Sequence, residues 1–206
     1  MKRFRPSVTL GAGAIGILAL AGLLRSADSA NAAKPGPAVV PLREEEKADL
    51  LHMREEEKLA RDVYIAMYAR WEAAVFSNIT GSEQTHMDSV ANLLAKYKLA
   101  DPVAGLAPGQ FATEYFQNLY TQLVETGNQS IEAALEVGGA IEEIDILDLW
   151  ECIDRTTRTD IRRVYQNLEA ASENHLRAFV SEFTSRGVTY EPKYLTQDQY
   201  DQIIGH

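Results

Sequence analysis

Residues 43–71 read REEEKADLLHMREEEKLARDVYIAMYARW. The stretch contains no proline or glycine and is rich in Glu, Lys, Ala, Leu and Met, which lose little side-chain freedom in a helix. Its apolar positions recur in steps of three and four through Leu50, Met53, Ala60, Tyr64, Met67 and Trp71. That spacing predicts one long helix with a single core-facing stripe. Glu57 falls inside the stripe, whereas Glu55 and Glu56 point elsewhere. Runs of like charge are usually solvated, so the run by itself leaves Glu57 open to either a surface or an inward role.

The same periodicity returns three more times. A break is expected around residues 76–81, then a second helix over 82–98 with the stripe Glu83, His86, Val90, Leu93 and Tyr97. Residues 99–112 hold Pro102, Gly105, Pro108 and Gly109 and read as a long crossover. A shorter helix over 113–125 stops at Gly127-Asn128. The third main helix, 130–154, carries Ile131, Leu135, Gly138, Glu142, Asp145, Leu149 and Cys152. The fourth, 160–185, carries Ile161, Tyr165, Leu168, Ser172, His175 and Phe179, and ends before Gly187. The tail, 188–206, is expected to pack as an irregular strap with a last short helix. The result is an all-α chain, a four-helix bundle with a long crossover between helices 2 and 3, a plan that resembles ferritin-like folds.

Composition narrows the functional classes. The chain has 206 residues, 46% of them hydrophobic, and a formal net charge of −10. An acidic chain without a basic stripe argues against nucleic acid as a partner. Lys2, Arg3 and Arg5 precede an uncharged apolar run from Val8 to Leu24, and Ala30-Asn31-Ala32 has the small-x-small form of a cleavage site. Residues 1–32 therefore read as a signal peptide of an exported protein, with an uncleaved membrane anchor as the alternative. Residues 33–42, with Pro35, Pro37 and Pro41, read as a linker, and residues 43–206 as one helical domain. The single cysteine, Cys152, excludes an intramolecular disulfide and reads as a small buried hydrophobe.

The polar residues inside the stripes carry the chemistry. They are Glu57, Glu83, His86, Glu142, Asp145, Ser172 and His175. Glu83/His86, Glu142/Asp145 and Ser172/His175 are each three apart, which puts both members on one helix face. Unpaired buried carboxylates are costly, and several together raise one another's pKa. Divalent cations reverse that balance. Four carboxylates with two imidazoles suit iron, manganese or zinc better than calcium. Two metal ions, iron first, are the expected cofactors, held by Glu57, Glu83, His86, Glu142, Asp145 and His175. A competing reading of Thr80-Gly81-Ser82-Glu83 is a capping box, with Glu83 only closing a helix start. Tyr64 and Tyr165 read as core aromatics, either of which could hydrogen-bond a ligand carboxylate. His52 and His206 have no such context.

Glu57-Lys58-Leu59-Ala60-Arg61-Asp62-Val63-Tyr64 resembles the first-helix ligand segment of rubrerythrins. Glu83-Gln84-Thr85-His86 resembles their second-helix E-x-x-H, Glu142 and Asp145 their paired third-helix acids, and His175 their fourth-helix histidine. More closely, residues 43–204 resemble the ferritin-like family known as domain of unknown function 2202. That likeness runs through REEEKLARDVY, SEQTHMDSV, IEEIDILDL, SENHLRAFV and the tail YEPKYLTQDQYDQII. One departure stands out: rubrerythrins place a carboxylate where this chain has Ser172, and Glu169 lies one turn before it.

The resemblance implies a di-iron centre with ferroxidase, peroxidase or oxidase chemistry toward oxygen or peroxide. Peroxide reduction would draw on an external electron donor, because the usual four-cysteine iron domain is not in this chain. Metal binding without turnover and a purely structural polar network are the alternatives. Pairing of bundles into a homodimer is common in such folds.

Overall fold

The computed structural model describes residues 41–205. The signal-peptide reading of residues 1–32, most of the linker and His206 lie outside the described residues. The described chain forms six helices and no strand: α1 (Glu44–Trp71), α2 (Ala74–Lys96), α3 (Glu114–Gly127), α4 (Ile131–Arg155), α5 (Thr159–Ser185) and α6 (Gln197–Ile204). The all-α expectation holds, and the long helices fall close to the expected bounds with one exception.

The exception is the junction of α1 and α2. Glu72 adopts a left-handed conformation (φ 54°) and its N–H bonds to Tyr68 O at 2.8 Å. α2 begins at Ala74, so the expected break at 76–81 does not exist. Val75, Phe76 and Ile79 bury their side chains in the core, and that packing carries the helix through Gly81. Thr80 is no N-cap: its Oγ1 donates to Phe76 O within the helix at 2.8 Å. Glu83 is an interior residue of α2, and the capping-box reading is overturned.

α1 packs along α2, α4 along α5, and the two hairpins meet through α1–α4 and α2–α5 contacts. Two apolar clusters set the directions. One holds Tyr64, Phe76, Leu135 and Phe179, and the other holds Met53, Val90, Leu149 and Leu168. α1 and α5 run from the second cluster to the first; α2 and α4 run the opposite way. The antiparallel neighbours thus bring mid-helix residues of all four to one level. Gly138 permits the close approach of α4 and α5 there, since a Cβ on it would sit 2.4 Å from the Phe179 ring.

The connection from α2 to α4 is bound to α1. Arg54 donates to both Asp101 carboxylate oxygens and, at 2.8 Å, to Met87 O. Glu55 Oε2 accepts from Ala112 N (2.9 Å) and Thr113 N (3.1 Å). Lys58 pairs with Asp62 and donates to Ala107 O, and Asp62 accepts from Gly109 N at 2.8 Å. Gly109 takes φ +78°, a backbone state glycine reaches without strain. The charged face of α1 is therefore buried by the crossover and α3 rather than solvated.

The tail follows the expected strap. Glu143, fully buried, accepts from Tyr190 OH (2.6 Å) and from the backbone N–H groups of Lys193 (2.9 Å), Tyr194 (2.6 Å) and Leu195 (2.8 Å). α6 then starts on a capping box between Thr196 and Gln199.

Candidate metal centre

Between the two apolar clusters lies a polar layer. α1 supplies Glu57, α2 supplies Glu83 and His86, α4 supplies Glu142 and Asp145, and α5 supplies Ser172 and His175. All seven side chains are buried. Each long helix is amphipathic on a stripe that meets the others at this level, so the polar interruptions of four separate stripes face one another.

Glu83 is the centre of the arrangement. Its Oε2 lies 3.0 Å from His86 Nδ1 and its Oε1 2.8 Å from His175 Nδ1. His86 Nδ1 is also 3.1 Å from Glu57 Oε2, and His175 Nδ1 is 3.4 Å from Glu142 Oε2. Two triads result, Glu57/Glu83/His86 and Glu83/Glu142/His175. In each, the three donor atoms lie within 4.8 Å of one another. The two imidazoles stack with centroids 5.6 Å apart. Asp145 stands beside the triads without joining either.

Neighbouring groups hold these side chains in place. Tyr64 OH donates to Glu142 Oε1 at 2.6 Å, and Ser172 Oγ donates to Asp145 Oδ2 at 2.5 Å. Ser82 Oγ lies 3.4 Å from His86 Nε2, so Nδ1 is the nitrogen left facing the carboxylates.

Electrostatics in the layer are under tension. Burial pushes the Glu57 carboxyl well above its ordinary range, and the nearby Asp145 adds to that against the pull of His86. Burial also raises Glu142, with His175 opposing. Asp145 is raised by burial to about 7, despite the Ser172 hydrogen bond. Burial works against an ionised Glu83 too, but the two imidazoles outweigh it and hold Glu83 at about 2. Burial disfavours imidazolium, yet Glu57 and Glu83 raise His86 to about 11, and Glu142 and Glu83 raise His175 to about 10.

Hydrogen bonding within the layer is incomplete. Glu57 Oε1, Glu83 Oε1, Asp145 Oδ1 and His175 Nδ1 are buried without a hydrogen-bond partner among the described residues. The 2.8 Å approach of His175 Nδ1 to Glu83 Oε1 is an ion-pair contact that lacks hydrogen-bond alignment. Glu57 Oε1 and Asp145 Oδ1 are the groups left without a partner among the described residues, and each such orphaned group costs about 1–3 kcal/mol, more when charged. A cation would take up those lone pairs, so the donor set fits metal ions.

Several residues stand where the sequence did not place them. Glu55, Glu56 and Glu143 are buried, because the crossover, α3 and the tail cover faces that the main stripes leave out. Glu169 is not at the layer; it accepts from Trp150 Nε1 at 2.5 Å. Tyr165 lies in the cluster with Cys152, its hydroxyl without a partner among the described residues. His52, which had no context in the sequence, has its Nε2 3.5 Å from both Glu56 Oε2 and Asp148 Oδ2. The i, i+4 spacing of His52 and Glu56 was the only available signal, and it does not reveal Asp148.

Residues 46–206 match the family described as "Uncharacterized protein domain (DUF2202)". "Uncharacterized protein MJ0754" of Methanocaldococcus jannaschii is 49% identical over 164 residues, which is 80% of this chain and 89% of that protein. The crystal structure of hypothetical protein MJ0754 from Methanococcus jannaschii DSM 2661 superimposes with a TM-score of 0.79 at 47% identity. It covers 83% of this chain and 98% of its own. The chain belongs to the DUF2202 family.

Proposed function

We propose that this is an exported ferritin-like protein that binds two metal ions, iron first, in the polar layer of its bundle, and that it supports oxidoreductase chemistry toward oxygen or peroxide. One observation carries the metal reading: Glu83 spans two histidines, with a further carboxylate beside each, while Glu57 Oε1 and Asp145 Oδ1 are buried there without a hydrogen-bond partner among the described residues. Glu57, Glu83 and His86 would hold one ion, and Glu83, Glu142 and His175 the other. Asp145 is a carboxylate in reserve. Mixed carboxylate and imidazole donors suit iron, manganese and zinc. Iron bound there would supply a redox couple and a Lewis acid.

The chain's own residues would do the rest. Tyr64 orients Glu142 by donating its hydroxyl proton to Oε1 across an O···O distance of 2.6 Å. Ser172 orients Asp145 through the hydrogen bond that its Oγ donates to Oδ2. The apolar clusters on either side exclude water. Export is supported by the basic start, the apolar run and the Ala30-Asn31-Ala32 motif.

A second reading, metal binding without turnover, is favoured by Ser172, which stands where a fourth-helix carboxylate would complete the set. Metal analysis of protein loaded with iron(II) without oxygen tests both. About two interior ions per chain, one lost in His86→Ala and the other in His175→Ala, with peroxide consumed on addition, supports the oxidoreductase. The same stoichiometry without consumption supports the second reading. A chain that stays free of iron, manganese and zinc, with unchanged melting, overturns both.

A further inference from the structure

A second group of ligand-type side chains lies outside the polar layer. His52 and Glu56 stand one turn apart on α1, and Asp148 faces them from α4. His52 Nε2 is 3.5 Å from Glu56 Oε2 and 3.5 Å from Asp148 Oδ2, and all three donor atoms lie within 4.8 Å of one another. Those 3.5 Å separations are too long for good hydrogen bonds. They match another geometry. Two donors each about 2.1 Å from a tetrahedral zinc-type ion stand about 3.4 Å apart.

Glu56 supplies an independent pointer. Its side chain is 8% exposed, and Oε2, the atom turned toward His52 and Asp148, is buried without a hydrogen-bond partner. Among the described residues neither Glu56 nor Asp148 has a lysine or arginine ion-pair partner. Two other buried acids of α1 do: Asp62 has Lys58 and Arg61, and Glu46 has Arg43 and Arg158, while the buried Glu55 accepts from two backbone N–H groups instead. A buried carboxylate oxygen with neither a donor nor a fixed cation is the environment a mobile cation relieves. The His52 ring is held at its other side by Phe116, with centroids 5.1 Å apart. Its exposed edge and the half-buried Asp148 leave the group reachable from solvent.

We propose that His52, Glu56 and Asp148 form a third divalent-cation site, separate from the polar layer. One imidazole and two carboxylates select zinc, manganese or iron(II) over calcium, and three protein ligands leave room for water on the ion. The site uses no residue of either interior triad, so it stands apart from the interior reading.

The test is equilibrium titration of the metal-stripped full chain with zinc(II) and, in parallel, with cobalt(II), whose visible absorption reports tetrahedral sites. His52→Ala and Asp148→Asn each alter exposed or half-exposed groups, and metal-free melting of each variant verifies folding. The inference expects one ion that both variants weaken at least tenfold and that His86→Ala leaves in place. If that ion is present and no ion depends on His86, the outer site stands and the interior reading fails. If ions bind but none is sensitive to His52→Ala or Asp148→Asn, the outer site is refuted whatever the interior does. No binding of either metal refutes it as well.

Discussion

Loading the stripped interior with metal should expel protons, and the structure sets how many. At pH 7 both imidazoles carry a proton, since His86 stands at about 11 and His175 at about 10. Their Nδ1 atoms face the carboxylates and must be bare to ligate. Two protons therefore leave. Asp145, at about 7, adds roughly half of one if it deprotonates, and the raised carboxyls of Glu57 and Glu142 contribute more. The expected release is about two to four protons per chain. Apparent affinity should then climb about a hundredfold or more per pH unit through neutrality, because each displaced proton contributes tenfold. Titration calorimetry in two buffers of different ionisation enthalpy counts the protons directly. His86→Ala should lower the count by about one. At a free metal concentration of 100 Kd the fold gains about 2.7 kcal/mol, and melting should rise by about 5–10 °C. Release of fewer than one proton, or an affinity flat between pH 6 and 8, would refute an interior site built on these histidines.

Other perturbations probe the scaffold. Glu143→Ala strands three backbone N–H groups and the Tyr190 hydroxyl, so it should destabilise by about 3–5 kcal/mol. Hydrogen exchange at residues 193–195 should accelerate, and unchanged exchange there would refute Glu143 as the anchor of the strap. Glu46 is held at about 2 from an ordinary 4.5: burial opposes ionisation, but the Arg43 backbone N–H, Arg158, Arg43 and Thr156 prevail. Its stabilisation, up to about 3 kcal/mol, is present above pH 4.5 and fades as pH falls toward 2. The melting gap between wild type and Glu46→Gln should therefore be widest near neutrality and close in acid; a gap that grows in acid contradicts the assignment. Thr80→Ala should change stability by less than about 0.5 kcal/mol, because Thr80 sits inside α2. A loss of about 1 kcal/mol or more would restore it as a cap.

The helices were legible because their signal is local. A stripe such as Leu50, Met53, Tyr64 and Met67 repeats with the helical period whatever it packs against. The α1–α2 junction was misread for a related reason: Gly81 and Ser82 lower helix propensity, while the burial of Phe76 and Ile79 that overrides it is tertiary. Glu57, Glu83, His86, Glu142, Asp145 and His175 were visible as polar residues in apolar stripes. Antiparallel packing then brought them to one level.

What the sequence could not contain was the partner of each charge. Glu55, Glu56 and Glu57 look alike in a run, yet Glu55 binds the crossover backbone, Glu56 faces His52 and Asp148, and Glu57 faces His86. Helical rotation of about 100° per residue aims each at a different neighbour. The sequence by itself determined the helices, their inward stripes and the residue types within them, because periodicity and propensity act over a few turns. Beyond the local Glu83–His86 pair, only the tertiary structure decided which carboxylate meets which histidine, since those contacts join different helices and depend on their packing direction and register.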